Sequence, residues 1–121
     1  MTLATKTLGN AGENFAANYL ENHGYKIIAR NFRVRSAEID IIAEIGGVIV
    51  FVEVKTRSSI RYGLPAEAVN FRKQKKIIEA ASVFLQDETY ADCACRFDVL
   101  EVYSSGKNFS VNHIENAFEV T

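Results

Sequence analysis

The sequence predicts an α/β fold, a mixed central sheet flanked by helices with elements in the order α-β-β-β-α-β-β. Three observations carry this expectation. Apolar residues recur at helical spacing in two segments, 10–23 and 65–86, and strand-like runs lie between and after them. The run Val48 to Thr56 is β-branched and apolar on both faces, as expected of a central strand covered by helices on each side. Three successive strand-like runs precede the second helical segment, which predicts an antiparallel meander followed by a crossover and a returning strand.

In the first helix Ala11, Phe15, Ala16, Tyr19 and Leu20 form the inward stripe, and Gly24 is its stop. Tyr25–Val34 and Ala37–Ile45 read as strands. Gly46-Gly47 is a tight hairpin signal leading into Val48–Thr56. Thr56 to Leu64 reads as a loop, and Pro65 suits the first turn of a helix reaching about Gln86, with Val69, Ile77, Ala80, Ala81 and Phe84 inward. Asp87 to Ala94 is a polar connection. Cys95–Tyr103 and Phe109–Ile114 close the chain as two strands across Ser104–Lys107.

With 121 residues the chain is expected to form one domain, 1–121, large enough to bury a core without disulfides. Cys93 and Cys95 read as reduced thiols, since neighbours two apart in a strand are poorly placed to pair and no histidine lies at metal-ligand spacing. No apolar run approaches a membrane span and the N-terminus has no signal core, so a cytoplasmic protein without membrane association is expected. The net charge of −1 argues against a protein that coats nucleic acid, but its distribution is uneven. Residues 26–76 carry +6 and the remainder −7, so a basic middle could present one positive face to phosphate backbones.

Two sequence features are physically odd. Glu53 and Lys55 interrupt the central strand at a spacing that puts both side chains on one face, and Glu38 and Asp40 repeat the pattern in the preceding strand. If the strands pair through Gly46-Gly47, residues whose numbers sum to about 93 lie opposite, which sets Asp40 against Glu53. Two facing carboxylates repel unless a cation sits between them. Mg²⁺ or Mn²⁺ suits such oxygens, and Lys55 alongside could hold a water or a phosphate. Taken alone, a Glu-Val-Lys in a strand is usually a surface salt bridge.

An Asp followed by Glu-x-Lys across a β-hairpin resembles the PD-(D/E)XK nuclease superfamily, whose members share the restriction-endonuclease-like fold. More closely, the chain is similar to the YraN family of small bacterial proteins, relatives of archaeal Holliday junction resolvases. The resemblance covers most of the chain: Gly12-Glu13, Ala16 to Leu20, Gly24-Tyr25, Arg30 to Arg33, Glu38 to Ala43, Phe51 to Arg57, Tyr62-Gly63, Pro65, Glu67 to Val69, Lys73-Gln74 and Arg96 to Val99. It departs at Ala37, where the family usually has Gly, a change that tilts the hairpin or narrows access but leaves the carboxylates in place.

The resemblance implies a metal-dependent endonuclease hydrolysing phosphodiester bonds of DNA, including branched or structured DNA. Asp40 and Glu53 would bind the metal with the Val54 carbonyl, and Lys55 would orient the attacking water and stabilise charge on the phosphate. Glu13 would complete the catalytic set, although a helix N-terminal Glu favoured by the macrodipole explains it equally. Glu38 and Gln74 would support the site. Arg33, Arg35, Arg57, Arg61, Lys73 and Lys76 would hold the nucleic-acid backbone, and no stacking platform or base-reading motif is visible. The loop Ser58 to Gly63 would form a lip over DNA, and the resemblance extends, as a hypothesis, to a two-fold homodimer. Two readings compete: a non-catalytic nucleic-acid-binding module of the same fold acting with a partner, and an interaction protein with a vestigial site.

Overall fold

The computed structural model describes residues 3–58 and 69–120, with side chains for residues 10–57 and 69–120. Seven elements follow in the expected order: α1 (Leu3–Asn22), β1 (Lys26–Val34), β2 (Ala37–Ile45), β3 (Val48–Ser58), α2 (Phe71–Phe84), β4 (Ala94–Ser105) and β5 (Asn108–Phe118). The strands form one five-stranded sheet in the order β1-β2-β3-β4-β5. All neighbours are antiparallel except β3 and β4, which run parallel because α2 lies in the crossover between them. This is an α/β mixed sheet with the element order of the restriction-endonuclease-like fold.

The double-sided apolar pattern of β3 is explained by its two coverings. Ile49 and Phe51 pack with Ile77, Ala80 and Ala81 of α2, while Val50 and Val52 pack with Ala16, Ala17 and Leu20 of α1. Gly46 and Gly47 both adopt positive φ (55° and 79°), the geometry a two-residue hairpin requires and one in which a Cβ is strained.

Three boundaries differ from expectation. The first helix begins at Leu3, not near Asn10, because Leu, Ala and Lys extend the helical backbone N-terminally. The second begins at Phe71, not at Pro65. Asn70 caps it by accepting the Lys73 N–H at 2.8 Å, and buried Val69, read as part of the helical stripe, packs into the core from the segment before the cap. Pro65, Arg61 and residues 59–63 of the expected lip lie outside the described residues. The last strand runs past Ile114 to Phe118. A register shift and a positive φ at Asn116 absorb one irregularity, after which Phe118 stacks on Phe97 with centroids 5.0 Å apart.

Candidate functional site

The β2–β3 ladder fixes the centre of the site. Its recorded pairs run from Ile45 with Val48 to Ile41 with Val52, a constant sum of 93. Asp40 and Glu53 are the next residues beyond the last pair. There the ladder opens, and the Asp40 carboxylate replaces a strand carbonyl: Val54 donates its backbone N–H to Oδ2 at 2.8 Å. Asp40 is mostly buried, and burial together with the Glu53 charge pushes its carboxyl up to about 7, against the opposing Val54 hydrogen bond. Glu53 is also raised, first by burial, with Lys73 and Lys55 pulling the other way. The pair therefore stores like-charge repulsion in a partly dry setting.

Lys55 is half-buried on the same strand and face as Glu53. Lys73, from the first turn of α2, brings Nζ to 3.6 Å from the Glu53 carboxylate while remaining 46% exposed. It links the paired acids to the outer face of that helix. Gln74 Nε2 donates to the Val69 carbonyl at 2.7 Å, so it ties down the chain ahead of the cap.

The other two acids are each held by arginine. Glu13 Oε1 accepts from Arg30 Nη2 and from Asn31 Nδ2, both at 3.1 Å. Asn31 has positive φ, and the pairs on either side (Arg30 with Ile41, Phe32 with Ile39) place it opposite Asp40. Glu13 thus clamps an irregular point of β1 beside the site, and its charge reaches Asp40 weakly. Gly12 allows this approach of α1: a Cβ there would stand 2.3 Å from Thr56 Oγ1, one residue past Lys55. Glu38 faces Arg33 across β1–β2 with an ion pair of 3.2 Å. Among the described residues, no group of three or more Asp, Glu, His or Cys side chains is placed to hold a metal.

The basic residues divide into two groups. Arg33, Lys73 and Lys76, with Val34, Ser36, Ala37 and Glu38, line an open groove of about 480 Å³ between the β1–β2 turn and α2. Asn70, Arg72, Lys73 and Lys76 line a second one of about 290 Å³ beside it. Arg35 is exposed in the β1–β2 turn. Arg57 behaves differently: its Nε donates at 2.9 Å to Glu101 Oε2, and its side chain is only 13% exposed. Glu101, 1% exposed and the β4 neighbour of Lys55, also accepts from Tyr103 Oη and Asn112 Nδ2. Sequence reasoning missed Glu101, Arg30 and Asn31 because their partners lie on other elements, Arg57 on β3 for Glu101 and Glu13 on α1 for the other two. The one available signal was a charged residue at an inward position of an apolar strand, Val99 to Val102.

On the opposite sheet face, Asp98 is buried and accepts from Arg96 Nε and Nη2 (both 2.9 Å), His113 Nε2 (2.7 Å) and the Asn116 N–H (2.9 Å). Burial alone would raise its carboxyl, but these hydrogen bonds more than offset that and hold it below the usual range. Cys93 and Cys95 are free thiols, Cys95 exposed and Cys93 half-buried.

The fold and site define an α/β protein of restriction-endonuclease-like order with two partly buried carboxylates, Asp40 and Glu53, where its central hairpin opens. Residues 12–102 match the uncharacterised protein family UPF0102, to which the chain belongs; this is the YraN family. A UPF0102 protein of Geobacter metallireducens is 50% identical over 120 residues, covering 99% of this chain and 98% of its own. One from Caldanaerobacter subterraneus subsp. tengcongensis is 48% identical over 116 residues, covering 93% and 95%. Among solved structures, Pyrococcus furiosus SfsA in complex with Ca²⁺ aligns over 96% of this chain and 65% of its own, at 15% identity and a TM-score of 0.41. No described helix is long and apolar enough to cross a membrane.

Proposed function

We infer that this protein is a metal-dependent endonuclease that hydrolyses phosphodiester bonds of DNA. One observation carries the reading: Asp40 and Glu53 stand at the facing positions where the β2–β3 ladder opens, near enough for the Glu53 charge to raise the Asp40 carboxyl, with Lys55 on the face of Glu53. Buried like charges are costly unless the site has a use for them.

The donor set fits a hard divalent cation. It offers oxygen donors alone, the two carboxylates with the Val54 carbonyl expected beside them, and Mg²⁺ is commonly held by one or two carboxylates with waters and substrate phosphate completing its shell. Two side-chain ligands from Asp40 and Glu53 match that need, since Glu13 and Glu38 are occupied by Arg30 and Arg33. When bound, the cation would supply neutralisation of negative charge on the phosphate. The chain's own residues do the rest. Lys55 places an ammonium where charge develops on the phosphate and can hold the attacking water. Glu13, through Arg30 and Asn31, fixes the strand opposite Asp40. Lys73, Lys76, Arg33 and Arg35 offer cations to the backbone leading into Glu53.

The rival reading, a binding module that performs no cleavage, draws support from the Lys73–Glu53 ion pair, which already compensates one of the two acids. A cleavage assay separates them. Wild type, Asp40→Asn and Lys55→Ala are incubated with single-stranded, duplex and four-way-junction DNA in Mg²⁺, Mn²⁺ or EDTA. Metal-dependent cutting by wild type alone is expected. Salt-sensitive binding without cutting under any condition would leave the binding module.

A further inference from the structure

We propose that Phe71 is a stacking platform for an unpaired base, so that the grooves beside α2 take a nucleic-acid strand with exposed bases rather than a fully paired duplex. The inference rests on the nucleic-acid reading above but not on catalysis. Phe71 is 63% exposed, although it opens α2 next to a cap and a buried core segment. A single exposed Phe on a protein surface is ordinary. Its setting here is not. Arg72, Lys73, Lys75 and Lys76 follow it directly, and the first turn of the helix contains no acidic residue.

Those cations crowd one another at helical spacings of three and four (Arg72 with Lys75 and Lys76, Lys73 with Lys76), pairings that destabilise a helix in the absence of an anion. Lys75 Nζ lies 4.9 Å from the Phe71 ring centroid, so a cation already sits on the aromatic surface. Asn70, whose side chain caps the helix, itself lines the groove with Arg72, Lys73 and Lys76, and Phe71 is the next residue along the chain. Lys73 in turn reaches Glu53. Helical spacing therefore sets Phe71, Lys75, Arg72, Lys76 and Lys73 in succession around the first turns of α2, ending at the residue that reaches Glu53.

This combination matches the way single strands are held without sequence preference: phosphates follow the cations while a base stacks on a side-chain ring. A duplex offers the same phosphates but keeps its bases stacked on one another. It would use the cations and leave the Phe71 ring unsatisfied. The chemistry required is a phosphate backbone with at least one unpaired base, as at a single strand, a flap or a junction. Deoxyribose and ribose strands both supply it.

The test measures binding in EDTA, so that cleavage plays no part, using the full chain with oligo(dT), oligo(U) and a DNA duplex of equal length. The chain contains no Trp, so Phe71→Trp introduces a lone indole whose emission reports stacking directly. Quenching of that emission by oligo(dT) or oligo(U), and far less by the duplex, is expected. Phe71→Ala should weaken single-strand binding about tenfold, the scale of one lost base–aromatic stack, with the salt slope unchanged. Unchanged melting of this variant would show that the fold is intact. Tighter binding of oligo(U) than oligo(dT) would keep the platform and move the substrate to RNA. Binding of Phe71→Trp without quenching, wild-type affinity in Phe71→Ala, or no nucleic-acid binding by wild type would each overturn the platform. A platform that passes in a protein that never cleaves would overturn only the nuclease reading.

Discussion

Asp40 Oδ2 accepts the Val54 N–H at 2.8 Å, one residue beyond the last β2–β3 backbone pair, so a side chain takes over where the sheet ladder stops. The bond fixes the carboxylate's position and leaves its charge uncompensated. Glu53 lies at the adjoining position and both groups are largely buried, so burial raises both carboxyls and the Glu53 charge raises Asp40 further. Local geometry therefore works against local electrostatics at this one point of the sheet.

That conflict sets the pH dependence of stability. The Asp40 carboxyl is pushed from its ordinary 3.8 up to about 7, so the folded chain holds a proton that the unfolded chain has released between those values. Folding takes up a proton in this window, and the metal-free protein loses stability as pH rises from about 4 through 7, by up to about 4 kcal/mol. Asp40→Asn keeps an oxygen for the Val54 N–H and removes the charge. It should raise the melting temperature in EDTA at pH 8 by about 5 °C or more, with little change at pH 4. Added Mg²⁺ or Mn²⁺ should stabilise wild type at pH 8 and leave the variant unmoved, as binding to the folded state alone requires. Thermal melts at the two pH values check this; equal melting of both proteins at pH 8 would remove the strained pair.

Gly12 is the contact through which α1 reaches the far end of β3. A Cβ at this position would lie 2.3 Å from Thr56 Oγ1 and 3.1 Å from Thr56 Cγ2, so both branches of the threonine crowd it and rotation about χ1 cannot clear the two together. Gly12→Ala should cost about 1–3 kcal/mol through overpacking, despite the better helix propensity of Ala. Gly12→Ala combined with Thr56→Ala should recover most of it. Denaturant titration of the two variants measures the difference; a Gly12→Ala protein as stable as wild type would show that α1 does not pack this closely.

Much of the site could be read from the chain because it depends on short-range relations. Gly46-Gly47 fixes the hairpin, the hairpin fixes the sum of 93, and that sum fixes Asp40 beside Glu53. The start of α2 was not legible, since burial of Val69 imitates a helical stripe while the deciding contact is one side-chain cap at Asn70. The clamp on Glu13 depends on a positive φ at Asn31, which no periodicity reports. Arg57 shows the same limit. Its place in a basic window suggested phosphate contacts, and only the parallel β3–β4 register reveals Glu101 within its reach.

Arg57 and Lys76 should consequently respond in opposite ways to truncation. Arg57→Ala leaves the Glu101 carboxylate, 1% exposed, without its 2.9 Å cation partner, while Tyr103 and Asn112 remain as donors among the described residues. An abandoned buried charge costs about 3–5 kcal/mol, so this variant should melt far below wild type. Pairing it with Glu101→Gln should restore part of that loss, because the remaining partner is then neutral. Lys76 is exposed at the rim of two grooves, and Lys76→Ala should leave stability within about 0.5 kcal/mol of wild type. Its effect should fall on nucleic-acid binding, lowering the slope of log K against log salt by about one. Chemical denaturation and a salt titration on the same preparations decide the matter. A stable Arg57→Ala that loses salt-dependent binding would return Arg57 to the backbone-contacting set and make the Glu101 pair incidental.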